Sequence, residues 1–422
     1  MPIEITSDPP RRIAKPIQSG KQSMESNNKG IGGQMAIIGG IRGLRSFFFG
    51  YLAFIIPLFL KHIGYTYIQI GLYALVATVA SSALVLVSGF LGDLYSKKKT
   101  LFIMSILPLF IFIIFIFTKN FYVTFLTSAL GISFSAIGGG AGGGPVAPVM
   151  TAFVADKVNR SSRTRVYSLL MIVSITSASL GSFFSGIIEG IVVNFYTVLF
   201  LLAIALNISS LFLIVFLKDT KVNRGRKSVV LPKKSSKKIL LIGLSGAFGS
   251  VGLGIVVPLL SVWFEISGVS PSLISFIFTA SYMAAGIGVA FSASMERIFG
   301  SIYAIGIFRT IGSILFIAMP FVTPPMAGLL YIIRTGFYQL ALPIRQNFQM
   351  SILDPLERAR GNSLTGIARR LPYGAATTLG SFLLTAGAYA AMFSMAGIIS
   401  VFDPILYVMF FRKYSEEDFQ DE

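Results

Sequence analysis

Lys218-Asp219-Thr220-Lys221-Val222-Asn223-Arg224-Gly225-Arg226-Lys227-Ser228-Val229-Val230-Leu231-Pro232-Lys233-Lys234-Ser235-Ser236-Lys237-Lys238 lies near the middle of a 422-residue chain. It holds nine lysines and arginines against one acid, Asp219, and long apolar segments flank it. Like charges interspersed with Pro232 and several serines cannot be buried together, so the stretch predicts a solvated loop. That loop divides the chain into two apolar halves.

Composition agrees. Residues are 54% hydrophobic and 12% charged, whereas an ordinary soluble chain carries roughly 25% charged residues. These values predict a multi-spanning membrane protein. The net charge of +18 could point to nucleic acid, but the basic residues fall between apolar runs and no polar domain is left to hold a duplex. Cytoplasmic loops facing anionic lipid account for the charge better. With no cysteine and His62 as the single histidine, neither a disulfide framework nor a histidine or thiolate metal site is expected. No cofactor is expected either. Residues 1–34 are rich in Pro, Ser, Gly and Asn, lack an apolar signal-peptide core, and read as a disordered cytoplasmic tail.

A bilayer core about 30 Å thick requires about 20 apolar helical residues. Windows of that kind lie at 35–60, 67–91, 101–118, 121–155, 164–191 and 194–217, then beyond the loop at 239–265, 271–295, 300–320, 325–352, 360–388 and 391–411. The expected domains are therefore a six-helix bundle over 35–217, a basic linker over 218–238, a second bundle over 239–411 and a tail over 412–422. The run from Gly138 to Gly144 has the glycine content of a phosphate-cradling loop but lacks the Lys-Ser/Thr ending. It predicts a flexible, cavity-side break in span four.

The second half repeats the first. Pro148 is followed by Arg163 and Arg165 at the same offsets as Pro343 by Arg358 and Arg360; Ser168 matches Ser363, and Leu180-Gly181-Ser182-Phe183 recurs as Leu379-Gly380-Ser381-Phe382. Pro57 and Gly64 precede Asp93 much as Pro258 and Gly268 precede Glu296. Parallel repeats place a binding site between the halves, near the midplane. Twelve crossings put 26 lysines and arginines on one side and Lys61 and Lys119 on the other. The positive-inside bias then predicts both termini and the linker in the cytoplasm, with the plasma membrane as the expected location and a monomer as the expected state.

After span two, Gly89-Phe90-Leu91-Gly92-Asp93-Leu94-Tyr95-Ser96-Lys97-Lys98 resembles the major facilitator superfamily loop pattern G-x-L-a-D-R-x-G-R-R/K. Gly89, Leu91, Asp93, Lys97 and Lys98 fit; Leu94 stands where the family has Arg and Ser96 where it has Gly. The two-by-six layout extends the resemblance over nearly the whole chain. It implies an all-α integral membrane protein of twelve transmembrane helices, two six-helix bundles related by a pseudo-two-fold axis. It also implies a gating role for Asp93, facing the N-terminal end of span eleven near Gly361 or arginines such as Arg163, with Arg358 in the corresponding loop of the second half.

Seven arginines fall inside the apolar windows: Arg42 and Arg45 in span one, Arg309 in span nine, Arg334 and Arg345 in span ten, Arg369 and Arg370 in span eleven. Each costs at least about 2.5 kcal/mol to insert. Arg334 and Arg345, eleven apart, differ by about 20° around a helix, and Tyr338 and Gln349 extend their stripe. Arg369 or Arg370 forms a second stripe with Tyr373 and Thr377. In the family, spans one, ten and eleven border the central cavity, which leaves Arg309 as the expected exception; Arg42 lies close enough to the cytoplasmic end to snorkel. Among the acids in the windows, Glu189 and Glu265 lie near outer ends and Asp403 is the one deep partner.

A cationic midplane chamber predicts an anionic cargo, since guanidinium forks match carboxylate and phosphate. The expected function is a secondary transporter, not an enzyme, moving a small organic anion by alternating access through symport or exchange. Its expected contacts are Arg45, Arg334, Tyr338, Arg345, Arg369, Arg370 and Tyr373, with Asp403 or Glu189 for proton coupling. Three readings compete. These arginines could bond to helix ends, backbone carbonyls or Asp403 and hold the halves together; the protein could export amphipathic drugs or lipids; or it could be a receptor that moves nothing.

Overall fold

The computed structural model describes residues 19–94, 96–131, 144–158, 163–219, 234–354 and 357–413. The first half comprises α1 (Ser19–His62), α2 (Tyr67–Leu94), α3 (Lys97–Phe117), α4 (Phe121–Leu126), α5 (Ala147–Lys157), α6 (Arg163–Ile191) and α7 (Phe195–Val215). The second comprises α8 (Ser236–Val256), α9 (Leu260–Ile266), α10 (Pro271–Phe299), α11 (Ser301–Ala318), α12 (Pro324–Ile352), α13 (Arg358–Thr385) and α14 (Tyr389–Phe411). Span seven is α8 and α9 joined by a short 3-10 turn at Pro258. Span four begins as α4 with a 3-10 turn over Thr127–Leu130 and ends as α5. The Gly138–Gly143 part of its glycine run, the expected break, lies outside the described residues, as do residues 1–18, most of the linker and the last residues of the C-terminal tail.

The result is two six-helix bundles related by pseudo-two-fold symmetry. Among the described residues, nine helices are apolar and long enough to cross a bilayer on composition alone. Helices α12 and α13 are as long, at 29 and 28 residues, but carry Arg334, Arg345, Arg369 and Arg370 and fail that criterion. Helix α1 begins at Ser19, so residues 19–34, expected to be unstructured tail, continue the first helix. An existing helix extends at little cost, because the unfavourable step is its nucleation.

The repeat is visible in local geometry. Gly64 ends α1 at φ 98° and Gly268 ends α9 at φ 86°. Each lets the next amide reach back five residues, Tyr65 N to Leu60 O and Val269 N to Phe264 O, both at 3.0 Å, the bond that closes a helix through a left-handed glycine. The recurring Leu-Gly-Ser-Phe has an equally specific cause. A Cβ at Gly181 would collide with the Phe47 carbonyl of α1, and one at Gly380 with the Ile255 carbonyl of α8. Helix-on-helix contact in a bilayer depends on such close approach, because lipid supplies no hydrophobic drive between helices.

One large apolar core runs through both halves, including Phe54, Trp263, Phe278, Tyr331 and Phe393. Two smaller cores lie nearer the basic loops, one in each half: Ile38, Met150 and Phe153 in the first, Ile242, Phe348 and Tyr407 in the second. Hydrogen bonds follow the same division. Ser182 Oγ donates to Ser275 O at 2.8 Å, Ser272 Oγ to Gly186 O at 2.7 Å, Ser261 Oγ to Phe54 O at 3.0 Å and Tyr282 OH to Gly50 O at 2.9 Å. Lys61 and Glu265 pair at 2.8 Å. These bonds join the halves on the side away from the basic loops.

Candidate binding site

The intramembrane charges of the second half gather on Asp403, which α14 carries between α8, α11 and α12. Its carboxylate presses so closely on α8 that a Cβ at Gly249 would stand 2.5 Å from Oδ2; only glycine leaves room. Arg345 Nη1 of α12 donates to Asp403 Oδ1 at 2.9 Å and Oδ2 at 3.0 Å. Arg309 Nη1 of α11 donates to the same carboxylate, and its Nη2 to Tyr338 OH. Arg345 Nη2 reaches Ser245 Oγ at 3.2 Å and Ile242 O at 3.4 Å on α8, while its Cζ stands 5.0 Å from the Tyr407 ring centre. Asp403 and Arg345 are each 2% exposed and Arg309 is 5% exposed. One carboxylate thus ties four helices through two guanidinium groups.

Two expectations change here. Arg309, read from sequence as a peripheral exception, is a principal partner of Asp403, because α11 turns that side chain inward toward this carboxylate. Arg345, read as a cargo contact, is occupied by Asp403 and α8. Sequence carried a signal for this pairing: a lone deep acid must find a cation.

Above this cluster the charge is not balanced. Arg334, 4% exposed, stacks 4.0 Å from the Phe316 ring centre and 4.8 Å from that of Tyr338, and its Nε has no hydrogen-bond partner. The Tyr331 and Tyr373 hydroxyls are likewise buried without partners, and Tyr331, Tyr338 and Tyr373 all lie within electrostatic reach of Arg334. Arg369 donates from Nε to Thr365 O at 3.3 Å; its side chain and that of Arg345 share the notch over Gly246, where a Cβ would meet them at 2.8 and 2.9 Å. Arg370 is half-buried. None of Arg334, Arg369 and Arg370 has a carboxylate at ion-pair distance among the described residues. Gln349 of the same α12 stripe joins α13 through Thr365 Oγ1 at 2.8 Å.

The remaining expected residues lie elsewhere. Arg45 is turned into the first half, donating to Ser105 Oγ of α3 at 3.2 Å, so it does not join the second-half arginines. Its stripe faces α3 and α7, an azimuth that spacing could not supply. Arg42 donates from Nε to Ser174 Oγ of α6 at 2.5 Å. Glu189 sits in the seam between halves and accepts from Ser275 Oγ at 2.8 Å. Around the loop motif, Lys97 pairs with Asp156 and Lys98 Nζ donates to Val215 O at 2.5 Å, both within the first half. Gly89 faces open space. The side chains of Asp93, Arg163 and Arg358 lie outside the described residues.

The sequence profile of the Major Facilitator Superfamily matches residues 39–244. No curated protein matches the chain. Among solved structures, the nucleoside transporter NupG is 12% identical, with 90% of this chain and 100% of that one covered and a TM-score of 0.68. A bacterial homologue of the human lysosomal transporter Spinster, in an inward-facing and occupied conformation, is 13% identical over 90% and 96%, at 0.65. The human organic anion transporter MFSD10 is 12% identical over 88% and 98%, at 0.64.

Proposed function

The chain belongs to the Major Facilitator Superfamily and is a membrane transporter, and from that premise we propose that it carries small organic anions by alternating access, through symport or exchange. The observation that carries this reading is the surplus of cation in the second half: buried Arg309, Arg334 and Arg345 and half-buried Arg369 are grouped with one carboxylate among the described residues, Asp403. Asp403 neutralises one charge, and an uncompensated buried guanidinium is costly, so an entering carboxylate or phosphate ester gains what the protein does not supply. Arg334, Arg369 and Arg370 are the direct contacts, with Tyr338 and Tyr373 beside them. Arg345 and Arg309 act as positioning residues that hold α11 and α12 through Asp403.

Cores that merge on one side and separate toward the basic loops support a chamber open on the basic side, which the positive-inside bias makes cytoplasmic. Reversal would break the seam of serines and the Lys61–Glu265 pair and close the basic side, where Asp93, Arg163, Arg358 and the Lys97–Lys98 loop act as the gate. For coupling, Asp403 is committed to two arginines. Glu189, bonded to a neutral hydroxyl and with no basic partner among the described residues, is the carboxyl left to bind a proton.

The test is a melting screen of the purified protein against carboxylates, phosphate esters and neutral or cationic analogues of matching size. A cargo that prefers the folded state raises Tm by an amount that grows with the logarithm of its concentration once that exceeds Kd. Stabilisation confined to anions is the expected result; stabilisation by cations or lipophilic drugs contradicts it.

A further inference from the structure

Arg42 of α1 is half-buried, and its position differs from the snorkelling expected of it. Nε donates to Ser174 Oγ of α6 at 2.5 Å. Ser174 is level with it, since the adjoining Gly43 faces Val173 and Ser177 of the same helix at 3.4 and 3.3 Å, so the side chain is held at its own depth. Among the described residues of α1, none from 37 to 60 is exposed; this stretch has no face on lipid. Gly40 packs on Leu213 of α7 at 3.1 Å. A Cβ on Gly39, about 60° around the helix from Arg42, would meet nothing within 4 Å among the described residues. Arg42 therefore stands beside open space that is not the bilayer.

The second half has the same arrangement on a different helix. Ser174 and Arg369 are 195 positions apart, the interval between Pro148 and Pro343. So are Val173, which faces Gly43 of α1, and Ala368, which faces Gly243 of α8 at 3.3 Å. The crossings of α1 with α6 and of α8 with α13 are therefore equivalent, and each carries a guanidinium, from α1 in one half and from α13 in the other. Gly366 precedes Arg369 by three residues, as Gly39 precedes Arg42, and a Cβ there would also meet nothing within 4 Å among the described residues. Leu364, Leu371 and Leu379 mark the lipid side of α13, and periodicity puts Gly366 on the opposite flank. Where α2 meets α13, a Cβ at Gly71 would stand 2.5 Å from that of Ser381 and one at Gly374 3.2 Å from that of Thr78, whereas Gly366 and Gly89, nearer the basic loops, face open space. The halves part toward the basic side, and the two arginines border the parting from opposite walls.

We infer that the cargo is a dicarboxylate, an organic dianion with an acidic group at each end, and that Arg42 holds one end while Arg369, with Arg334 and Arg370, holds the other; this rests on the organic-anion reading above. A guanidinium fork suits one carboxylate, and forks on opposite walls suit two. The bond to Ser174 uses Nε, and the edge formed by Nη1 and Nη2 is the one offered to the cargo. A ligand shifts a conformational equilibrium only as far as it binds one state better than another. A cargo held by the second half alone rides with that half and gives the first no reason to close over it. A cargo that bonds Arg42 and the second-half arginines together binds best when the halves approach on the basic side, so it favours occlusion. Arg42 is thus the residue that selects two-ended anions over one-ended ones.

The experiment titrates the full-length protein with dicarboxylates of graded chain length and with the half-amide of each, which has the same length and one charge, reading apparent affinity from the rise in Tm. Wild type is expected to prefer the diacid. Arg42→Gln is expected to weaken the best diacid about tenfold and to leave its half-amide unchanged, because a single carboxylate can settle on the second half. Arg334→Gln weakens both. Arg42→Lys, which keeps the charge, restores part of the preference, and Ser174→Ala, which removes only the tie between α1 and α6, retains it. Equal weakening of diacid and half-amide by Arg42→Gln, or a fall in Tm with both affinities unchanged, assigns Arg42 to helix packing and overturns the proposal. Should Arg42→Gln not fold, thiol labelling of a Gly39→Cys variant decides: the diacid is expected to slow it and the half-amide not, and labelling indifferent to both overturns the proposal. If wild type binds diacid and half-amide equally, the organic-anion reading stands and the dicarboxylate falls; if no carboxylate raises Tm, both fall.

Discussion

Where α8, α11, α12 and α14 meet in the second half, Asp403 fastens Arg309 and Arg345, and a glycine on α8 makes room for it. At the matching junction of the first half, Arg45 meets Ser105 and the amide of Asn207 instead. The frame is the same and the electrostatics are opposite: one node contains its counter-ion and the other, among the described residues, contains a cation and neutral dipoles. A repeated bundle thus conserves where helices cross while leaving the charge at each crossing free to diverge. The surplus of cation that could serve an anionic cargo lies in the second half.

The largest effect that would separate the two nodes comes from Asp403→Asn. It leaves Arg309 and Arg345 buried without a carboxylate and is expected to cost about 3–5 kcal/mol, read as unfolding of the detergent-solubilised protein. Asn207→Ala in the first half removes a neutral hydrogen bond and is expected to cost about 1 kcal/mol. Equal losses from the two substitutions would break the contrast. The next effect probes what the halves share. Gly181→Ala and Gly380→Ala both drive a methyl group into a facing backbone carbonyl, and each is expected to cost about 1–3 kcal/mol. A large cost for one and none for the other would show that the crossings are not equivalent.

The smallest thermodynamic effect belongs to the Lys61–Glu265 pair, each side chain 28% exposed. Glu265→Gln is expected to change stability by no more than about 1 kcal/mol. It loosens the seam, however, and should increase labelling of a Ser185→Cys variant from the side away from the basic loops. The chain has no native cysteine to interfere. Unchanged labelling would remove that pair from the gate.

Most of the architecture was legible in the residues. The central basic stretch, the alternation of apolar windows with charged ends and the recurring Leu-Gly-Ser-Phe lead to two repeated bundles, because a bilayer constrains length and polarity more strongly than water does. Depth was legible too: Arg334, Arg345 and Asp403 are all deep. Azimuth was not. Helical periodicity tells that Arg334 and Arg345 share a stripe, yet it does not tell that Arg345 meets a carboxylate from α14 while Arg334 meets rings from α11 and its own helix. Arg45 and Arg309 were misjudged for the same reason. A partner is chosen by how three helices rotate about their axes, and hydropathy carries no record of that rotation.

If unneutralised second-half arginines hold an anionic cargo, Arg334→Gln weakens its binding. Concentration-dependent uptake of the best-stabilising anion is measured in proteoliposomes for wild type and variant, matched for folded protein. A charge-assisted bond contributes about 1.5–3 kcal/mol, so KM is expected to rise about tenfold or more; an unchanged KM and rate would show that Arg334 does not hold the cargo.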